Sequence, residues 1–220
     1  ELREKYYGMK EIVVQETHAL GLEILASSSH PFGEWTQCTF RKDPRYQELD
    51  GMLHDVVGRL LICSLQFHVA LPSPEFRYPI INTLHQYLPH MLALSTSSPL
   101  WEGRDTGLKS YRTLIAQNLP RSNIAPYFSS MAEFTHYQDV LQKTHSITNG
   151  KEIWWDIRPH YIFPTIECRI CDHPTSPKDA LALAALFQAL VVKAHKLLLK
   201  GHYEKSEYQL YHQENKWRAA

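Results

Sequence analysis

The sequence predicts an α+β fold in which helices back a mainly antiparallel sheet. Residues 154–172, WWDIRPHYIFPTIECRICD, predict two strands joined by a turn that contains Pro159 and Pro164. Long segments before and after this stretch have apolar residues at helical spacing. The chain shows no internal repeat, and its 220 residues are enough to bury a sizeable core in one domain.

We expect four elements in the first third of the chain: a helix over residues 2–20 ended by Gly21, a strand over 22–26, a helix over 45–57 and a strand over 60–71. Four more helices are predicted downstream, over residues 75–94, 130–147, 177–200 and 203–217. Pro89 should kink the first of these four, because proline has no backbone N–H to continue a helix. Residues 95–127 are polar but also carry aromatic and charged side chains, which predicts an ordered, functional loop.

Composition excludes several function classes. The formal net charge is zero, from 23 basic and 23 acidic side chains. The chain therefore lacks the basic footprint of a nucleic-acid-binding protein. Residues 180–192 form the longest apolar run, which Gln188 interrupts and which is shorter than the roughly 20 residues that span a bilayer. We interpret this run as a buried helix and expect neither nucleic acid nor a membrane among the partners.

The four cysteines are too sparse to suggest a disulfide framework. Cys168 and Cys171 match the C-x-x-C pattern, but strand residues three positions apart face opposite sides of a sheet. A zinc or redox site is therefore not expected there. The chain starts at Glu1 with charges throughout residues 1–20, so no signal peptide is visible. These features predict a cytoplasmic protein with reduced thiols.

Two pairs of polar side chains each share one face of a predicted strand. Glu167 and Arg169 are two residues apart, as are Gln66 and His68, and strand side chains alternate between faces. Cys171 should lie on the face of Glu167 and Arg169. The first pair is either solvated on an open sheet or aimed into a cleft to hold a metal ion and a phosphate. The second pair is either hydrogen-bonded in the core or lines the same cleft.

Several motifs follow one another along the chain: SSHPF, PHMLALSTSSPLWEGRDTGLKSYR, LPRSNIAPYF, and the strand pair WWDIRP and TIECRICD. In this order they resemble the bacterial carboxylate-amine ligases of the type 2 glutamate-cysteine ligase family, in the glutamine-synthetase-like superfamily. The resemblance extends from about Leu2 to Ala220. It implies a glutamine-synthetase-like fold in which the antiparallel sheet forms a catalytic cleft.

The resemblance also implies a reaction. ATP phosphorylates a substrate carboxylate, and an amine then displaces phosphate to form an amide, with weak glutamate-cysteine ligase activity as one option. The cofactors implied are ATP and Mg²⁺ or Mn²⁺, because cations neutralise the charge that builds up when two anions react. The partners implied are small amino acid substrates and further copies of the chain, since this superfamily commonly self-associates.

Site residues follow from the resemblance position by position. Glu167 in TIECR matches a metal ligand, and Arg169 matches the residue that contacts the transferred phosphate, so both are expected to be catalytic. Gln66 matches a second metal-ligand position, where the superfamily often has histidine. His68 matches a contact with ATP, which Arg169 shares.

Arg112 and Ser98 match the loop that lines the family's substrate pocket. Arg112 is the expected clamp for a substrate carboxylate, because a guanidinium binds one with two hydrogen bonds; the alternative is a surface arginine. Asp156 and Arg158 also match family positions, with a structural ion pair between them as the alternative. His30 either stands near the site or caps its turn.

Departures from the family pattern leave a second interpretation open. The family's acidic E-x-E strand would precede Glu1 and its C-terminal helices would follow Ala220, so we expect residues 1–220 to be one catalytic domain without those regions. Asn123 stands where the family usually has glycine. Without those acidic side chains, the alternative is a non-catalytic protein that binds a nucleotide or an amino acid on the same scaffold.

Overall fold

The computed structural model describes residues 1–71, 73–203 and 209–220, and it shows a mixed α+β fold, as predicted. The described α-helices are α1 (Leu2–Ala19), α2 (Pro44–Leu53), α3 (Asp55–Gly58), α4 (Arg77–Leu84), α5 (Leu88–Ser95), α6 (Tyr111–Ala116), α7 (Met131–Lys143), α8 (Pro177–Leu199) and α9 (Gln209–Ala219). The described strands are β1 (Phe67–Ala70), β2 (Leu100–Trp101), β3 (Arg104–Asp105), β4 (Ser122–Asn123), β5 (Trp154–Trp155), β6 (Ile157–Pro159) and β7 (Thr165–Cys168).

The central strand β7 lies between β1 and β6 in a three-stranded antiparallel sheet. Phe67 is opposite Cys168, while His68 and Arg158 are both opposite Glu167. Side chains of directly opposed residues lie on the same face of an antiparallel sheet. One face of the sheet is therefore apolar, and the other carries a row of charged and imidazole groups.

The apolar face packs against α4 and α8, and α5 packs against α8 behind it. The buried stripe of α8 consists of Ala180, Leu183, Phe187, Val191, Ala194 and Leu198. Phe187 reaches the sheet, where its ring centroid lies 6.1 Å from that of Phe67. By length and composition alone, α8 is the one helix among the described residues that could cross a membrane. In this fold its apolar stripe covers the sheet, so α8 is buried along one face.

Helix interruptions account for most differences from the predicted helices. The predicted helix over residues 45–57 is broken at His54, whose φ of 47° is left-handed. The predicted kink near Pro89 is confirmed, as a 3-10 turn over His85–Tyr87 that separates α4 from α5. The last predicted helix is present as α9, and residues 204–208 of that prediction lie outside the described residues.

The predicted strand over residues 22–26 is wrong. Within the described residues nothing pairs with this segment, and the nearest pairing is an isolated bridge between Ser29 and Ile62. The predicted strand over 60–71 shortens to β1. A strand needs a neighbour to take its backbone hydrogen bonds, and the four residues of β7 reach only as far as Phe67–Ala70.

The prediction that Cys168 and Cys171 face opposite sides of the sheet is also wrong. Because β7 ends at Cys168, the alternation does not continue, and Cys171 turns into the core with its Sγ 3.8 Å from the carbonyl of Met91. Both thiols are free and fully buried. The hydrogen bond that the Cys168 thiol donates to Cys171, together with burial, raises the pKa of Cys168 well above its ordinary value.

His85, in the turn between α4 and α5, should make folding sensitive to acid. It is 4 % exposed, and its ring centroid lies 5.8 Å from that of His212 on α9. Burial, and next the charge of His212, lowers the pKa of His85 from 6.5 to about 3. Below its ordinary pKa the unfolded chain binds a proton at this site that the folded chain does not, so stability falls as pH falls.

The expected contribution of His85 is a loss of about 1 kcal/mol in the free energy of unfolding between roughly pH 7.5 and roughly pH 5.5. Urea unfolding of wild type and His85→Leu at the two pH values measures it, and the variant should show a smaller loss by that amount. His18→Asn, at an exposed position of α1, is the matched control. An unchanged pH dependence in His85→Leu would contradict the prediction.

Candidate active site

Glu167 lies at the centre of the polar face of the sheet and is 2 % exposed. Its Oε2 accepts a hydrogen bond from Nε of Arg158 at 2.9 Å, and its Oε1 pairs with Nη1 of Arg169. Burial acts to raise the pKa of this carboxyl, but the charges of Arg169 and Arg158 outweigh burial and bring the pKa below its ordinary value. Glu167 is therefore ionised at neutral pH, and guanidinium groups hold both of its oxygens.

The structure separates Asp156 from Arg158, which the sequence had left open as an ion pair. Arg158 turns to Glu167 and also donates from Nη1 to the carbonyls of Gly150 and Lys151, at 3.3 and 3.2 Å. Burial, and next the charge of Arg169, lowers the pKa of Arg158. Asp156 instead pairs with Lys216. The alternative of a structural ion pair between Asp156 and Arg158 is therefore wrong.

Two imidazoles lie beside Glu167. His68, directly opposite it on β1, has Nδ1 3.1 Å from Oγ1 of Thr165, and its ring centroid lies 5.1 Å from that of His160. Nδ1 of His160 accepts hydrogen bonds from two backbone amides of the β6–β7 turn, at 3.0 and 3.2 Å. Burial lowers the pKa of His160, against the opposing charge of Glu167, so its neutral form is favoured. Sequence reasoning gave His160 no role.

A cavity of about 420 Å³ is lined by residues at the end of this polar face. Three of the predicted site residues, Gln66, Arg112 and Arg169, share its wall with Asp156 and Lys216. This volume suits a small molecule. Three cationic side chains against one carboxylate favour a ligand with anionic groups.

Ser98 and Arg112 both bind Asp172, a fully buried carboxylate. Its Oδ1 accepts from Nε of Arg112 at 2.7 Å and from Oγ of Ser110 at 3.0 Å. Its Oδ2 accepts from Oγ of Ser98 at 2.7 Å and from the amide of Ser97 at 3.0 Å. These hydrogen bonds fill the acceptor sites of the carboxylate. Asp172 therefore ties the loop that begins at Ser97 to the segment that follows β7.

Arg112 also binds the backbone of the segment that carries Arg169. Its Nη2 donates to the carbonyl of Arg169 at 3.3 Å and to that of Ile170. Arg112 is 6 % exposed, so the alternative of a surface arginine is wrong. Since Asp172 and two carbonyls take most of the guanidinium, only its Nη1 has no acceptor among the described residues. The substrate-binding roles of Arg112 and Ser98 stay predictions.

The described residues by themselves do not make up a metal site. They contain no group of three or more His, Cys, Asp or Glu side chains that could hold a metal ion. Both oxygens of Glu167 are bonded to guanidiniums, and exposed Gln66 has its Nε2 3.2 Å from Oγ of Ser64. Mg²⁺ prefers several oxygen ligands in octahedral geometry. Gln66 and Glu167 alone do not supply such a set, and the metal roles predicted for them stay predictions.

His30 fits the turn-capping alternative. Its Nδ1 accepts a hydrogen bond from the amide of Gly33 at 2.7 Å, and its ring packs edge-on against Phe32. Both residues line a separate cavity of about 570 Å³. His30 is therefore a local structural group away from the cavity that holds Arg169.

Lys216, on α9, is the residue of the candidate site that sequence reasoning missed. Its Nζ donates to Oδ1 of Asn123 and to Oδ2 of Asp156, both at 2.7 Å, and its side chain is 5 % exposed. Its two partners lie 93 and 60 residues away along the chain. Local spacing holds no signal for contacts over such separations. The tertiary fold brings them together: α9 packs against α5, and the carbonyl of Ala220 accepts hydrogen bonds from the amides of Lys109 and Ser110.

Comparison with known proteins found a family model and curated relatives that match this chain. A family model described as glutamate-cysteine ligase family 2 (GCS2) matches residues 2–220. Curated relatives named "Putative glutamate--cysteine ligase 2" include a protein of Herpetosiphon aurantiacus, 44% identical over 200 residues that cover 91% of this chain and 52% of the relative. Another, from Roseiflexus sp., is 39% identical over 223 residues that cover 100% of this chain and 58% of the relative. The chain spans about half the length of the curated relatives it matches.

Proposed function

The chain belongs to glutamate-cysteine ligase family 2, and from that membership we propose that it supplies part of the active site of an ATP-dependent carboxylate-amine ligase. ATP phosphorylates a substrate carboxylate, an amine attacks the acyl carbon, and phosphate leaves as the amide forms. Membership also supports a glutamine-synthetase-like fold, in which the polar face of the sheet lines the catalytic cleft. The substrates proposed are small amino acids.

The observation that carries the proposal is the placement of Arg169. Its side chain is 21% exposed and lines the cavity, and its guanidinium is paired with the buried, ionised carboxylate of Glu167. Phosphoryl transfer to a carboxylate brings two anions together, and a preorganised guanidinium stabilises the charge that accumulates on the transferred group. Arg169 is therefore assigned to the phosphoryl oxygens, consistent with contact to ATP.

Glu167 is assigned a positioning role. Because Arg158 and Arg169 hold its two oxygens, the carboxylate fixes the guanidinium of Arg169 against the sheet. His68, on the neighbouring strand, lies on the same face and stays the proposed contact with the nucleotide.

ADP release by the full-length protein tests the proposal. The assay supplies ATP and magnesium with a matrix of amino acid carboxylates crossed with amines, including glutamate and cysteine. Release that requires both partners is the expected result. Arg169→Met should abolish release, whereas Arg41→Met, at an exposed position, should leave it unchanged.

The competing function is a protein that binds a nucleotide or an amino acid without catalysis. The observation that favours it is that the described residues do not form a metal site. Calorimetric binding of ATP or an amino acid, combined with no ADP release across the whole matrix, would establish this function and contradict the ligase.

A further inference from the structure

The ammonium of Lys216 is a buried cation in the wall of the candidate site. It lies between the cavity that holds Arg169 and a second cavity of about 420 Å³, which is lined by α9 and α6. An ammonium has three N–H donors. Asn123 and Asp156 take two of them, and no acceptor takes the third within the described part of the chain.

Asp156 also has unused hydrogen-bonding capacity. Its Oδ2 accepts from Lys216, and the described residues supply no donor to its Oδ1. Its side chain is 12% exposed and lines the same cavity. Lys216 and Asp156 therefore present a free donor on a cation and a free acceptor on an anion, side by side.

We propose that Lys216 and Asp156 bind the α-carboxylate and the α-ammonium of an amino acid substrate, an inference that rests on the proposed ligase function. Opposite charges held a hydrogen bond apart match the two charged groups of an α-amino acid, which are also held close together. Arg169, another cation of the cavity, stays available for the anionic group that reacts.

Lys216 suits this role better than Arg112 does. Nε of Arg112 donates to Asp172, and its Nη2 donates to two backbone carbonyls, so only Nη1 of the guanidinium is left for a ligand. The ammonium of Lys216 keeps one donor for the ligand. A charge-assisted hydrogen bond from a desolvated ammonium is also stronger than one made in water.

Asn123 is a positioning residue for Lys216. Its backbone has a left-handed φ of 71°, a conformation that asparagine tolerates better than most residues. In this conformation its Oδ1 meets Nζ of Lys216 at 2.7 Å. Asn123→Gly keeps the backbone conformation accessible and removes the acceptor, so it tests the positioning without strain.

Matched ligands test the assignment in the full-length protein. Isothermal titration calorimetry compares cysteine with cysteamine and glutamate with 4-aminobutyrate, each second compound lacking the α-carboxylate. We expect wild type to bind at least one of the two amino acids about tenfold to a hundredfold tighter than its decarboxylated analogue, the range for one charge-assisted hydrogen bond. Lys216→Met should lose that preference, Asn123→Gly should retain part of it, and Arg218→Met, at an exposed position of the same helix, should keep it.

The Lys216→Met change leaves the buried Asp156 without its cation, and this could prevent folding. In that case the double variant Lys216→Met/Asp156→Asn, which removes both charges, replaces the single variant in the same binding measurement. A preference for the α-carboxylate that survives in either variant overturns the inference, as does the lack of measurable binding of both amino acids to wild type. ADP release separates the two proposals. If the preference for the α-carboxylate depends on Lys216 but no ADP is released, the ligase function is contradicted and the proposed binding site stands. If ADP is released and the KM for the amino acid is unchanged in Lys216→Met, the ligase function stands and the proposed binding site is contradicted.

Discussion

Replacement of Asp172 by asparagine is expected to lower the free energy of unfolding by about 3 to 5 kcal/mol, the range for breaking a buried ion pair by removing one partner. Asp172 is fully buried and paired with Arg112 at 2.7 Å. The amide of asparagine carries no charge and places two donors among the donors of Ser98 and Ser110. Arg112 would then be a buried cation without a counter-charge.

Urea unfolding followed by circular dichroism measures this loss. Asp139→Asn, on the exposed face of α7, is the matched control and should change the free energy of unfolding by less than about 0.5 kcal/mol. If Asp172→Asn proves as stable as Asp139→Asn, the carboxylate does not hold the loop to the end of the sheet, and the account of Ser98 and Arg112 fails with it.

Replacement of Glu167 by glutamine is expected to reduce ADP release by about a hundredfold or more, the range for loss of a preorganised electrostatic group. Glutamine preserves the shape of the side chain but removes the charge that holds Arg169 and Arg158. Arg169 would then be free to leave the position that the transferred phosphoryl group requires. The neutral glutamine would no longer fix the orientation of Arg169, but it would leave the contact between Arg169 and ATP possible. We therefore expect kcat to fall by a larger factor than the KM for ATP rises.

The same change removes the counter-charge of two guanidiniums, so some loss of stability accompanies it. ADP release is therefore measured on samples that circular dichroism shows to be folded, with Glu11→Gln on the exposed surface of α1 as the control. Unchanged ADP release in folded Glu167→Gln would show that Glu167 does not position the reacting groups.

Strand periodicity predicted one contact of the candidate site. Alternation of side chains predicted one face for Glu167 and Arg169, and the structure shows these two in contact. The same rule failed at Cys171, because β7 ends at Cys168 and the chain turns inward. Periodicity is a property of a strand, and the sequence does not state where pairing stops.

The sequence by itself determined most of the helices, the β6–β7 strand pair and the resemblance to the family, because all three depend on the order and spacing of residues along the chain. Only the tertiary structure decided the partners. Arg158 turned to Glu167 instead of Asp156, Arg112 was committed to Asp172, and α9 brought Lys216 to the cavity. Burial of an unpaired charge costs free energy, so each buried charged side chain pairs with whichever opposite charge the packing of the chain brings near it. That choice depends on distances between segments far apart in the chain, which no local pattern contains.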